Sequence, residues 1–233
     1  MEINSDFAER VVILPEEMSY VPSPSLGVDR IMLDRIGGEV ARATSIVRYA
    51  PNSEFPRHIH AGGEEYLVLD GVFSDEHGDF PVGSYVRNPV GSGHAPFTRD
   101  GATILVKLWQ FQDGDDRQFS PDTRSQVFRP GLVEGLSVLP LHSFGTENVA
   151  LVRWAPGTTF SPHRHWGGEE IYVIEGTFAD EHGVYPAGTW LRNPDGSTHT
   201  PFTTEEGALI YVKTGHLIAR AKELSAPEER LAA

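Results

Sequence analysis

Residues 48–98 read RYAPNSEFPRHIHAGGEEYLVLDGVFSDEHGDFPVGSYVRNPVGSGHAPFT, and residues 153–203 read RWAPGTTFSPHRHWGGEEIYVIEGTFADEHGVYPAGTWLRNPDGSTHTPFT. The second stretch repeats the first without a gap at an offset of 105 residues, and one inserted residue then pairs Lys107 with Lys213 at 106. A repeat of this length predicts two homologous domains. Many differences between the copies are exchanges that strands tolerate, such as Tyr49 for Trp154, Leu69 for Ile174 and Tyr85 for Trp190. The glycines at 62, 63, 71, 83 and 91 recur at 167, 168, 176, 188 and 196, where tight turns and bends of a small closed barrel need them.

Outward from the repeat, the 24 Gly and 17 Pro are spread along the chain between short runs rich in Val, Ile, Tyr, Phe and Thr. SIVRYA (45–50), EYLVLDG (65–71), SYVRN (84–88) and TILVKLWQF (103–111) all read as strands. The expected fold is all-β, with only the tail HLIARAKELSAPEERLAA (216–233) reading as a short C-terminal helix. QDGDDRQFSPDTRSQ (112–126) is polar and rich in turn formers and reads as a linker, which sets the domains at 1–120 and 121–233.

Composition removes several classes of function. At 233 residues the chain can bury two cores. The net charge of −14 opposes nucleic-acid phosphates and anionic lipid surfaces. Cys is absent, which excludes disulfides, iron–sulfur clusters and cysteine nucleophiles. No apolar run approaches a membrane span, and the acidic start MEINSDFAERVVILPEE is no secretory signal, so a cytoplasmic location is expected.

Histidines carry the chemistry. His58, His60, His77 and His94 recur as His163, His165, His182 and His199, with acids in register. Residues two apart on a strand share a face, so His58 and His60 project together; His94 arrives after the PVGSG turn. Three imidazoles and one carboxylate suit a divalent cation such as Zn, Fe, Mn, Ni or Cu. His77 and His182, in DEHG, belong at an exposed hairpin tip, and His142 and His216, without counterpart histidines, read as structural.

At these residues the chain resembles the cupin superfamily, whose motifs read G-x5-H-x-H-x3,4-E-x6-G and G-x5-P-x-G-x2-H-x3-N. The second copy fits the first motif through Gly157, His163, His165, Glu169 and Gly176. The first copy fits through His58, His60, Glu64 and Gly71, with Asn52 at the opening glycine. The second motif fits through Gly83, Pro89, Gly91 and His94, and again through Gly188, Pro194, Gly196 and His199, with Thr98 and Thr203 at the closing Asn. The resemblance implies two tandem double-stranded β-helix (jelly-roll) barrels. It also implies two metal ions per chain, Zn or Fe first and Mn or Ni as alternatives. Their ligands would be His58, His60, Glu64 and His94, and His163, His165, Glu169 and His199.

Within the cupins, HAGGEEYLVLDGVFSDEHGDFPVGSYVRNPVGSGH is most similar to the cupin-like domain of ChrR-type anti-sigma factors, where the matching residues bind zinc. Those regulators hold the sigma factor with a separate N-terminal helical domain and a His/Cys zinc site. About 40 residues precede the first cupin strands here, with no Cys, so no anti-sigma activity is expected of this chain alone. Related single cupins include dioxygenases, which implies a non-haem dioxygenase acting on a small oxygenated organic molecule. The alternative is a zinc-binding sensor without catalysis. No catalytic base is identified: Glu65 and Glu170 are expected as outward, solvated carboxylates. Arg48/Arg153, Arg87/Arg192 and Lys107/Lys213 are expected in salt bridges rather than on an anion. Trp166, where the first copy has Ala61, is expected either to narrow the second mouth or to pack on the barrel rim. A homodimer is compatible with exposed strand edges.

Overall fold

The computed structural model describes residues 1–217. The expected C-terminal helix lies outside the described residues. Among those described, the helical segments are two three-residue 3-10 turns, Pro15–Glu17 and Thr123–Ser125, and all other regular structure is strand. No helix among them is long and apolar enough to cross a membrane.

Two compact units divide the chain. Among the described residues, the first comprises Met1–Ser5 and Ser19–Gln126, and the second comprises Asp6–Met18 and residues 127–217. Each is an antiparallel sheet curled on itself. In the first, Glu64–Asp75 lies between Ala102–Leu108 and Tyr85–Asn88, and Ala102–Leu108 continues through Ala41–Tyr49 to Val28–Gly37. The second repeats this with Glu169–Asp180 between Phe202–Thr214 and Trp190–Asn193, continuing through Glu147–Trp154 to Leu136–Phe144.

Alternation along the central strands explains both core and site. Glu64, Tyr66 and Val68 share a face, and Tyr66 and Val68 pack with Phe73, Val86, Ile104 and Val106. Glu169, Ile171 and Val173 do the same against Phe178, Tyr185, Leu191 and Ile210. Each large apolar side chain buried this way contributes roughly 2 kcal/mol. Both central strands then break register, between Thr103 and Ile104 in one pairing and between Val173 and Glu175 in the other. Gly71 and Gly176 follow at φ +70°, where a Cβ would lie 2.1 Å from the Gly101 carbonyl oxygen and 2.2 Å from that of Gly207. Only glycine allows this approach, and it lets the strand bend over the core.

Two findings depart from the sequence reading. The polar stretch after residue 111 is part of the first unit rather than a free linker. The Tyr85 N–H donates to the Pro121 carbonyl at 3.1 Å, the Arg87 N–H to that of Phe119 at 2.9 Å, and Thr123 and Asp115 are buried. The matching edge of the second unit is supplied by the opposite end of the sequence: Val11–Ile13 pairs antiparallel with Trp190–Asn193, with Val12 opposite Leu191.

Candidate metal centres

Two-residue strands place the first ligands. His58–Ile59 pairs with Gly93–His94 so that His58 and His94 stand opposite each other; in the second unit His163 stands opposite His199. His60 and His165 follow two residues on. The inward alternation of the central strands adds Glu64 and Glu169. Ring centroids of His58, His60 and His94 are 4.7–5.0 Å apart, and those of His163, His165 and His199 are 4.6–4.8 Å apart. Glu64 Oε1 lies 3.5 Å from His60 Nε2 and 3.6 Å from His94 Nε2. Glu169 Oε2 lies 3.4 Å from His165 Nε2 and 3.7 Å from His199 Nε2. Ligand atoms of His58, His60, Glu64 and His94 all lie within 4.8 Å of one another, as do those of His163, His165 and His199; Glu169 reaches two of its three histidines.

The outer ring nitrogens fix the protons. His94 Nδ1 donates to Asp75 Oδ2 at 2.9 Å, and His58 Nδ1 to the Pro56 carbonyl at 2.9 Å. The Ser92 hydroxyl donates to the Pro89 carbonyl, so its oxygen accepts from His60 Nδ1 at 3.1 Å. In their neutral form all three rings therefore turn an unprotonated Nε2 towards the Glu64 carboxylate. In the second unit His199 Nδ1 donates to Asp180 Oδ2 at 3.2 Å and His163 Nδ1 to the Ser161 carbonyl at 3.1 Å. Nε2 of His94, His165 and His199 is buried without a hydrogen-bond partner. Nε2 atoms of His58 and His60 lie 3.2 Å apart; lone pairs converging so closely on a carboxylate repel one another, and a divalent cation at that point satisfies them all. The residues present fit a metal ion.

Burial, with the neighbouring His199 and His163, pushes the His165 ring down to about 3, and burial foremost also lowers His60 and His163. These rings stay neutral, as ligands must. His94 moves the other way: burial opposes protonation, but the bond to Asp75 and the charge of Glu64 outweigh it. Burial raises Glu169. The Asp180 carboxyl is held down at about 2 because bonds from His199, Tyr185 and the His182 N–H, together with Arg10, outweigh its burial.

The supporting side chains escaped the sequence reading. Asn88 Nδ2 donates to Glu64 Oε1 at 3.1 Å, and Asn193 Nδ2 to Glu169 Oε2 at 2.9 Å. Asp75/Asp180, Asn88/Asn193 and Ser92/Ser197 all recur at the offset of the histidines, and that recurrence was the available signal. Phe55 and Phe73 in one unit, and Phe160 and Phe178 in the other, set ring edges against the histidines.

Other expectations meet different outcomes. Glu65 and Glu170 are each 1% exposed, not solvated. Glu65 accepts from Tyr85 and Arg87, and Glu170 pairs with His216, on the strand face away from Glu64 and Glu169. Arg87 also pairs with Asp115, Arg48 with Asp29, Arg153 with Glu175 and Lys213 with Glu147, while Lys107 donates to Thr44. Arg192 donates to the Asp6 carbonyl and lies over the Phe7 ring. His77 and His182 are exposed at their hairpin tips. Trp166 is 68% exposed, with the Arg164 guanidinium 4.4 Å above its ring.

Two small barrels, each bringing three histidines and a glutamate together, define a bicupin. Residues 8–112 and 117–218 each match the ChrR cupin-like domain, and the chain belongs to that family. No curated protein matches it at a significant level. Among solved structures it is similar to a provisionally named dioxygenase of Nostoc punctiforme, at 16% identity and TM-score 0.75, covering 92% of this chain and 85% of that one. Bacillus subtilis oxalate decarboxylase is similar at 15% identity and TM-score 0.60, covering 88% and 76% of the two chains. The Momordica charantia 7S globulin is similar at 13% identity and TM-score 0.60, covering 88% and 84%. At these identities the likeness shows the fold.

Proposed function

We propose that this chain holds two divalent metal ions, one in each barrel, and is a non-haem dioxygenase acting on a small oxygenated organic molecule. The observation that carries the reading is the convergence of three imidazoles and a carboxylate on one point in each unit, with Nε2 of His94, His165 and His199 buried without a hydrogen-bond partner. A bound divalent ion with open positions would supply Lewis acidity or, as Fe(II), a seat for O2 beside the substrate. The chain's own residues hold and orient the ligands through Asp75, Asn88 and Ser92, or Asp180 and Asn193. The phenylalanine edges keep the histidine side of each centre apolar. His58 and His163 are half-buried, which leaves each centre a route to solvent. With Glu65 and Glu170 buried in ion pairs, neither serves as a general base. The net charge of −14 favours a small-molecule partner over nucleic acid or an anionic membrane.

The family match supports a second reading, a zinc-binding sensor module without turnover. Elemental analysis of untagged protein, followed by an O2-consumption screen, separates the two. About two Fe or Mn per chain with substrate-dependent O2 uptake supports the enzyme. About two non-exchangeable Zn without uptake supports the sensor. A chain that holds no metal from any preparation or reconstitution overturns both.

A further inference from the structure

We infer that the two centres are electrostatically unequal and that Arg10 makes them so, leaving the second centre the weaker cation site. The inference rests on the divalent-metal reading above. Arg10 belongs to the N-terminal segment that completes the second unit. Its Nε donates to Asn193 Oδ1 at 3.0 Å, and its Nη2 lies 3.4 Å from Asp180 Oδ2. Asn193 holds Glu169 and Asp180 holds His199, so one guanidinium braces two of the four ligands through their immediate supports. In the first unit the same place is taken by Gln118, from the stretch that covers the corresponding edge, whose Nε2 donates to Asn88 Oδ1 at 3.3 Å. Both side chains orient the asparagine; only one carries a charge.

A charge count makes the difference explicit. Around the first centre the buried carboxyl groups are Glu64 and Asp75. Around the second they are Glu169 and Asp180, with Arg10 paired to the latter. Tyr185, where the first unit has Phe80, adds a donor to Asp180 at 2.6 Å and draws off further negative charge. The remaining differences are exposed and solvent-screened: Arg57 pairs with Glu76 near the first centre, while near the second Arg164 covers Trp166 and Asp195, where the first unit has Val90, accepts from the Gly167 N–H. A divalent ion in the second centre therefore sits in a field made more positive by a guanidinium that is 30% exposed and only partly screened. Asp180, committed to Arg10 and Tyr185, also lends less electron density to His199 than Asp75 lends to His94.

The test is a titration of the metal-stripped full chain with Mn2+ alone, followed by calorimetry and by the electron paramagnetic resonance of free Mn2+. Wild type should show two classes of site about tenfold apart, the spread typical of changes in a ligand's support. Arg10→Gln, which installs the first unit's own residue and its bond to asparagine, should tighten the weaker class towards the stronger. Arg10→Lys should leave the gap open, and Gln118→Arg should weaken the stronger class. His163→Ala should abolish the class that Arg10→Gln moves. Two classes that Arg10→Gln leaves unchanged, or a weaker class that it weakens further, would overturn the inference while the metal reading stands. Absence of Mn2+ binding in wild type overturns both. Should Arg10→Gln fail to fold, Gln118→Arg decides, since it removes no contact of the second unit.

Discussion

At the scale of single residues, ligand geometry depends on side chains that touch no metal. Asp75→Ala removes the acceptor that fixes the proton of His94, so cation affinity of the first centre should fall about 10–100-fold in chelator competition. Asp180→Ala should do the same at the second and cost more stability. It strands the buried donors of His199 and Tyr185, at about 1–3 kcal/mol each, while Arg10 keeps its bonds to Asn193 and Tyr185; comparative thermal melts will show the loss. The raised His94 value fixes a pH dependence with a definite sign. Without metal, its contribution to stability is complete below the ordinary histidine value of about 6.5 and is lost as pH rises through the folded-state value. Metal must displace that proton, so cation binding at the first centre should weaken as pH falls below that range and should release protons measurable in a pH-stat.

At the scale of elements, the bent central strands are the parts least tolerant of change. Gly71→Ala and Gly176→Ala each ask a side chain to occupy φ +70° against a carbonyl oxygen barely 2 Å away. Each should lose at least about 2 kcal/mol in chemical denaturation, whereas Gly38→Ala, with open space around it and no positive φ, should lose far less. Strands and histidines were legible because they follow short-range rules: alternation of two, turn glycines, and a spacing stated twice in one chain. Glu64 against Glu65 was not decidable from alternation alone, since the Gly62–Gly63 turn resets the face, and motif spacing had to choose. The polar stretch 112–126 reads as a linker because composition carries no record of its backbone bonds to Tyr85 and Arg87 or of the pairing of Asp115 with Arg87.

At the scale of the molecule, the duplication is complete in ligands and incomplete in chain order. The first unit's open edge is covered by residues that follow its barrel in sequence, and the second unit's by Val11–Ile13, which precede both barrels. No local pattern announces such a distant pairing, so Arg10 carried no signal of its place beside Asp180. A chain beginning at Val127 should accordingly fail to give a cooperative melt, and adding a peptide of residues 6–18 should restore one; a sharp transition without the peptide would refute the pairing. During synthesis the described strands of the first unit are complete once Gln126 leaves the ribosome, while the segment bearing Arg10 must wait for Asn193 to emerge before it finds its place. Residues translated before either barrel are thus among the last to settle, and the second centre is finished by a segment older than the barrel it completes.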